Sequence, residues 1–333
     1  MVLMLMDTKV LNIETLEVYN KNLLPFYLRK DLTRQRLVTW LSMRTVTLTR
    51  TQIKLLLNLI SFPQNQDQES LAWIAIMNRA ITVEDSYWLN DTDCKYMWKD
   101  MNPLYHKRGE TMLPVLMSKD IKDISFETVE LTTKGSSDKG WFRHNNCFYL
   151  FKTKRWQQEV DASLCLDCLN IDHVTYKPYT YDGIEGCICS NMSNDKYSRV
   201  TAAEVRDSFD DYSEFIKFVV NIDPVGFYNM CVVDYLIANQ DRHGENWGFY
   251  MNNETGELVK LHSLFDHNWA FGEVAMLKDI KSKIFPQKTL KEIAKSFRSK
   301  CNLKLIKEVP NYFYNNVDKS YFLRTCKELE ITI

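Results

Sequence analysis

Glycine and proline are scarce in this 333-residue chain, ten and eight residues respectively. With 45% hydrophobic and 26% charged residues, that scarcity excludes collagen-like, mucin-like and wholly disordered chains. An excess of charge of one sign is also missing. The 42 basic residues meet 43 acidic ones, a formal net charge of −1. No global field is available to coat nucleic acid, so nucleic acid is not an expected partner. No stretch approaches the roughly 18 continuous apolar residues a membrane span needs, so no membrane partner is expected either. The apolar start Met1–Met6 stops at Asp7 and lacks a basic leader and a small-residue cleavage site, so it does not read as a signal peptide. Nine cysteines, an odd count in a long chain, read as free thiols in a reducing, cytoplasmic setting.

The length gives a prior of roughly two domains. Residues 1–124 read as a helical accessory domain. Leu37, Trp40, Leu41 and Met43 recur at helical spacing, as do Ile53, Leu56, Leu57 and Ile60 after Thr49, and Leu71–Met77 fits a further helix. Val83–Trp88 reads as an aromatic loop or short helix. The pattern changes near Ile124. Residues 126–132 read as a strand, residues 134–140 as a turn-rich loop, and 141–143 with 147–152 as a strand pair. Trp156–Leu169 reads as a helix, and His173–Tyr179 and Ile184–Cys189 as strands around Asp182-Gly183. From 196 to the end the chain returns to helix. Phe227–Ala238 is apolar around most of its circumference, as a buried helix is. It is followed by Asp241-Arg242-His243-Gly244-Glu245-Asn246, a hairpin from Trp247 to Leu261, and Phe265-Asp266-His267.

That last segment carries the chemistry. Phosphoryl transfer from ATP needs a carboxylate that takes or orients the proton of the attacking hydroxyl. It also needs an amide oxygen and a second carboxylate to hold Mg²⁺ against the phosphates. Asp241 and Asn246, five residues apart on a loop after a buried helix, can supply the first two. The hairpin returns Asp266 beside them. Upstream, Gly135, Ser136, Ser137 and Gly140 lie in a loop suited to cover phosphates. Lys152 ends the apolar run Phe148–Phe151 and is preferred over Lys154 as the phosphate lysine. Glu159 on the next helix is the carboxylate that would orient it.

Asn239-x-Asp241-x-His243-x-x-Asn246 with Asp266 after a hairpin resembles the catalytic region of HipA-like serine/threonine kinases. Tyr149-Leu150-Phe151-Lys152 and the Glu159 helix resemble that family's nucleotide lobe, and the likeness spans roughly residues 128–271. The resemblance implies an α+β, protein-kinase-like two-lobed fold, with residues 125–195 as the small nucleotide lobe and 196–333 as the helical catalytic lobe. It implies ATP and Mg²⁺ as cofactors, Asp241 as the base, and Asn246 and Asp266 as metal ligands. His243 and Phe265 would lie near the nucleotide, Lys152 on its phosphates, and adenine near Ser190 to Met192. A protein with a Ser or Thr acceptor is the implied substrate. Some relatives are toxins, which implies an antitoxin-like partner, and some phosphorylate a serine of their own phosphate loop, which points to Ser136 or Ser137. The first 124 residues depart from the small N-terminal subdomain usual in that family. The order Asp-Arg-His, in place of the His-Arg-Asp of ordinary protein kinases, also occurs in phosphatidylinositol-type kinases. A lipid or small-molecule kinase, or an idle kinase fold acting as a binding module, are the alternatives.

Gly135 and Gly140 have Walker A spacing, but Trp141-Phe142 stand where Lys and Ser/Thr are required. Cys165-x-x-Cys168 and Cys187-x-Cys189 read as buried free thiols. The ten Lys and Arg residues between 278 and 307 read as a solvated helical face.

Overall fold

The computed structural model describes residues 1–45, 67–103, 139–144, 147–272 and 280–332. The helix expected over 53–60, the strand over 126–132, and Gly135, Ser136 and Ser137 lie outside the described residues. The chain divides into two compact units. The first comprises Met1–Lys152, Ser190–Arg199 and Met251–Glu257, and the second comprises Thr153–Cys189, Val200–Tyr250 and Leu258–Ile333.

The first unit opens with strands, where mostly helix was expected. β1 (Val2–Leu5) is flanked by β2 (Thr8–Asn12) and by β3 (Tyr87–Asn90), both antiparallel to it. All four β1 residues are buried. A strand covered on both faces has a continuous apolar run and no alternation, so its period cannot announce it. Helices α1 (Phe26–Arg29), α2 (Arg34–Ser42) and α3 (Gln68–Met77) lie between these strands. Leu37, Trp40 and Leu41 are the buried face of α2, as their spacing predicts, whereas Met43, grouped with them, caps the helix and is exposed. Thr33 and Asp67 cap α2 and α3 through their side chains. α4 (Trp98–Met101) is a single turn. β4 (Lys139–His144) and β5 (Cys147–Lys152) form the expected hairpin. Trp141 and Phe148 from that hairpin join Val2, Met4, Trp88 and Trp98 in one apolar cluster. The two later segments are tied in by Asn253. Its carbonyl oxygen accepts from Ser198 Oγ (2.6 Å), and its amide donates to Ser86 Oγ (3.3 Å) and the Asp195 carbonyl (2.9 Å).

In the second unit α5 (Trp156–Cys168) begins after Arg155, whose backbone is left-handed (φ 53°). β6 (Lys177–Tyr181) and β7 (Ile184–Ser190) pair across the two-residue turn Asp182-Gly183. Both turn residues have positive φ, 47° and 80°, the geometry Asp-Gly favours. β8 (Tyr197–Thr201), whose residues 197–199 belong to the first unit, leads into α6 (Ala202–Arg206), which is closed by a Thr201/Glu204 capping box. α7 (Tyr212–Ile222) precedes α8 (Pro224–Leu236), and β9 (Gly248–Asn252) turns back as β10 (Leu258–Leu261). A Cβ on Gly248 would lie 2.1 Å from the Val200 carbonyl oxygen, so only glycine lets these backbones approach. α9 (Leu290–Phe297) and α10 (Asn316–Glu328) complete the unit. Both pack on α8, through Tyr228–Phe297 ring contact at 4.9 Å and the Tyr321 hydroxyl donating to the Tyr235 carbonyl (3.1 Å). Lys291 and Lys295 of the basic stretch pair with Glu328. The region 301–315 between α9 and α10 is irregular, not helical. No single helix among the described residues is long and apolar enough to cross a membrane.

Candidate functional site

α8 is buried on nearly every side, so its C-terminus is a fixed point. Its last turn closes in a Schellman cap. The Ala238 N–H bonds the Tyr235 carbonyl (3.2 Å) and the Asn239 N–H bonds the Asp234 carbonyl (2.8 Å). Ala238 takes the left-handed conformation (φ 49°) that glycine usually fills there, a strain on the order of 1 kcal/mol. Asn239 then turns inward. Its amide donates to Asp234 Oδ1 (3.1 Å), and its own Oδ1 accepts the Asp241 N–H (3.2 Å).

Arg242 holds the centre. Its side chain is 2% exposed and that of Asp234 is 3% exposed, so each charge persists only because the other meets it. Arg242 Nε and Nη2 donate to Asp234 Oδ1 at 3.1 and 3.0 Å. Nη1 donates to the Asn246 carbonyl (2.8 Å) and to the Phe265 carbonyl (3.0 Å). Nη2 also meets His267 Nδ1 at 3.3 Å, which must act as the acceptor because a guanidinium has no lone pair to offer. One side chain thus ties the end of α8, the 241–246 loop and the turn around Asp266 together.

Within the loop, Asn246 Nδ2 donates to the Asp241 carbonyl (2.9 Å), and the Asn246 N–H to the His243 carbonyl (2.9 Å). The amide nitrogen is committed to backbone, which leaves Oδ1 as this side chain's acceptor atom. The Asp241 carboxylate is one-third exposed, and His243 Nε2 stands 3.6 Å from its Oδ2. His243 Nδ1 accepts the Glu245 N–H. The first turn of α6 closes on this loop, its Ala203 N–H donating to the Gly244 carbonyl (3.0 Å).

Asp266 is half-buried with a left-handed backbone (φ 57°), a conformation a non-glycine residue holds only when its surroundings impose it. Here they do. Its N–H donates to the Tyr176 hydroxyl (3.1 Å), the preceding carbonyl accepts from Arg242, and the following N–H donates to Glu159 Oε2 (2.7 Å). Glu159 is fully buried in the first turn of α5. Tyr176 is fixed in turn: its N–H bonds Ser163 Oγ (3.2 Å), which meets His173 Nε2 at 3.0 Å.

The structure therefore gathers Asp241, His243, Asn246, Phe265, Asp266 and Glu159 in the second unit. Phe265 packs on the His262 ring at 5.2 Å. Lys152, Gly140, Ser190 and Met192 belong to the first unit. Lys152 is buried at the end of β5, whereas Lys154 is exposed in the following turn. Gly140 sits inside β4 opposite Phe151, so the strand begins earlier than the turn-rich sequence suggests. Ser190 is exposed and Met192 half-buried. The sequence reading missed Asp234, Arg242 and Tyr176. Asp234 left a signal, being the one charged residue in the apolar run 227–238.

Asn246 and Asp266 carry hard oxygen donors of the kind Mg²⁺ takes, an incomplete set that phosphate oxygens and water would have to complete. Among the described residues no cluster of three or more His, Cys, Asp or Glu is placed to hold a metal. Cys165, Cys168, Cys187 and Cys189 are buried free thiols. Burial pushes the Cys165 thiol well above its ordinary value, which leaves it inert.

No protein-family model matches the chain, and no curated protein sequence matches it. Solved structures do. HipA of Shewanella oneidensis MR-1, from a complex of the toxin–antitoxin system HipA, HipB and its operator DNA, matches 98% of this chain and 88% of that one. The TM-score is 0.53 at 10% identity. The Helicobacter pylori proinflammatory kinase CtkA matches 58% of this chain and 90% of that one, with a TM-score of 0.43 at 16% identity. The fold is similar to that of HipA, a mixed helix-and-sheet architecture.

Proposed function

We propose that this chain is an ATP- and Mg²⁺-dependent protein kinase of HipA-like type that phosphorylates Ser or Thr. One observation carries the reading: buried Arg242 binds the loop of Asp241 and Asn246 to the turn of Asp266, so residues twenty positions apart share one rigid frame. The HipA-type fold supports it. When bound, Mg²⁺ and ATP supply the phosphoryl group and neutralise its charge. Asn246 Oδ1 and the Asp266 carboxylate would hold the metal. Asp241, partly open to solvent, would orient and accept the proton of the acceptor hydroxyl. Lys152 would meet the phosphates. Glu159 acts through the Asp266 turn whose backbone it grips, in addition to the lysine-orienting role expected of it. Ser136 or Ser137 is the proposed self-phosphorylation site, an antitoxin-like protein the proposed partner, and the cytoplasm the proposed location.

The test is transfer of labelled phosphate from ATP by the purified full chain, alone and with protein acceptors. Asp241→Asn keeps the shape and removes the basic oxygen. It should lower turnover by roughly 10²–10⁴ while leaving Mg-ATP binding near normal. Asp266→Ala should abolish the Mg²⁺-dependent rise in melting temperature that ATP gives. Undiminished transfer by Asp241→Asn would refute the role of that residue. No transfer and no ATP binding by the wild type would leave the kinase reading without support.

A further inference from the structure

A cavity of about 430 Å³ opens in the second unit, on the side of α5 that carries Ser163 and Asp167. None of the phosphotransfer residues lines it. Four aromatic rings do, Tyr176, Tyr312, Phe313 and Tyr314, with Leu164 among the apolar groups beneath them and one carboxylate, Asp167. The size suits a small organic molecule. The composition narrows the class. Aromatic faces are negative and attract cations, and several rings with an acid form the usual seat of a substituted ammonium. Two further carboxylates, Asp161 and Glu185, act on one of the rings. The Tyr314 hydroxyl is pushed above its ordinary value by burial, then by the charges of Asp161 and Glu185. Asp167 is met only loosely, by His173 Nε2 at 3.6 Å and Lys307 Nζ at 4.0 Å. Lys177 also lines the cavity, but it is exposed on β6 and its head can turn to water.

The wall is built rather than accidental. Asp161 accepts the Tyr314 and Asn315 N–H groups at 2.9 and 3.0 Å, which pins the irregular segment carrying three of the rings. Trp156 packs edge-on against Tyr314 at 4.6 Å. The fourth ring, Tyr176, is the one whose hydroxyl accepts the Asp266 N–H.

We infer that this cavity is a seat for a small organic cation of the substituted-ammonium class, and that its occupancy acts on the Asp266 turn through Tyr176. The seat itself stands without the kinase reading. Only the regulatory meaning of the Asp266 turn rests on that reading.

The probe is benzyltrimethylammonium, with benzenesulfonate as the anionic counterpart, titrated calorimetrically into the full chain without nucleotide. The cation should bind saturably and the anion should not. Tyr312→Ala should weaken it roughly 2- to 30-fold, the worth of one cation–π contact. Asp167→Asn should weaken it about 5-fold or more, in line with loss of one partly desolvated charge contact. Leu164→Trp, which fills the cavity, should abolish binding while the circular dichroism spectrum is retained. Hydrogen exchange in the peptide covering Asp266 should slow when the cation saturates the wild type, and should not respond in Leu164→Trp. Absence of saturable binding, equal binding of the sulfonate, or full binding by Leu164→Trp would each overturn the seat. Saturation with unchanged exchange at Asp266 would overturn the coupling. Neither readout involves phosphate transfer, so failure here is distinct from failure of the kinase assay.

Discussion

Asp318 makes stability fall as pH rises, in a direction opposite to the usual carboxylate. It lies in the first turn of α10, 2% exposed, and its Oδ1 is buried without a hydrogen-bond partner. Asp161 on α5 is its acidic neighbour and is itself pushed upward by burial, against the two backbone bonds it accepts. Burial first, and the Asp161 charge second, raise Asp318 from its ordinary 3.8 to about 7. Between those limits the unfolded chain has released the proton and the folded chain retains it. The stabilisation is therefore complete below about pH 4 and is lost as pH rises through about 7. At about 1.36 kcal/mol per pH unit, the displacement corresponds to about 4 kcal/mol. Asp318→Asn stays neutral throughout. Urea unfolding followed by circular dichroism should find the variant close to wild type near about pH 4 and more stable by up to about 4 kcal/mol near about pH 8. A gap between the two proteins that is the same at both ends would refute the argument, because it would show that the side chain does not titrate on folding.

Arg242→Ala should cost about 3–5 kcal/mol in urea unfolding, since it strands the Asp234 charge in the interior; a loss below about 1 kcal/mol would be the wrong result. Ala238→Gly should raise stability by about 0.5–1 kcal/mol in the same assay, because glycine adopts the φ of 49° without strain. Glu159→Ala should lower stability by about 1–3 kcal/mol, leaving the buried His267 N–H without its carboxylate, and hydrogen exchange at His267 should accelerate as the direct check.

The nearness of Asp241, Asn246 and Asp266, though not their role, was legible. Asp241 and Asn246 were expected on one loop, where the Asn246 amide meets the Asp241 carbonyl. The hairpin expected after that loop returns the Asp266 turn to it, where Arg242 bonds both. The frame was not legible. Arg242 looks like any loop arginine, and its burial becomes evident only when Asp234, eight residues back on a helix otherwise without charge, is recognised as its counter-ion. Tyr176 fell in a stretch read as strand, whereas the strand starts at Lys177 and residue 173 makes only an isolated parallel bridge to Leu264. The N-terminal sheet escaped because β1 is buried along its whole length and shows no alternation, and its pairing with β3 spans more than eighty residues.

The Asn253 hub has a consequence for how this chain is made. The first unit includes Ser190–Arg199 and Met251–Glu257 as well as the leading 152 residues, and the hydrogen bonds of Asn253 join all three pieces. A ribosome adding roughly 5–20 residues per second would take about 5–20 s to advance from Lys152 to Glu257. Through that interval the leading segment is synthesised but unfinished, with the Ser86 hydroxyl awaiting an amide not yet made. The interval in which that segment is open to chaperones and proteases thus ends only when the hairpin bearing Asn253 emerges.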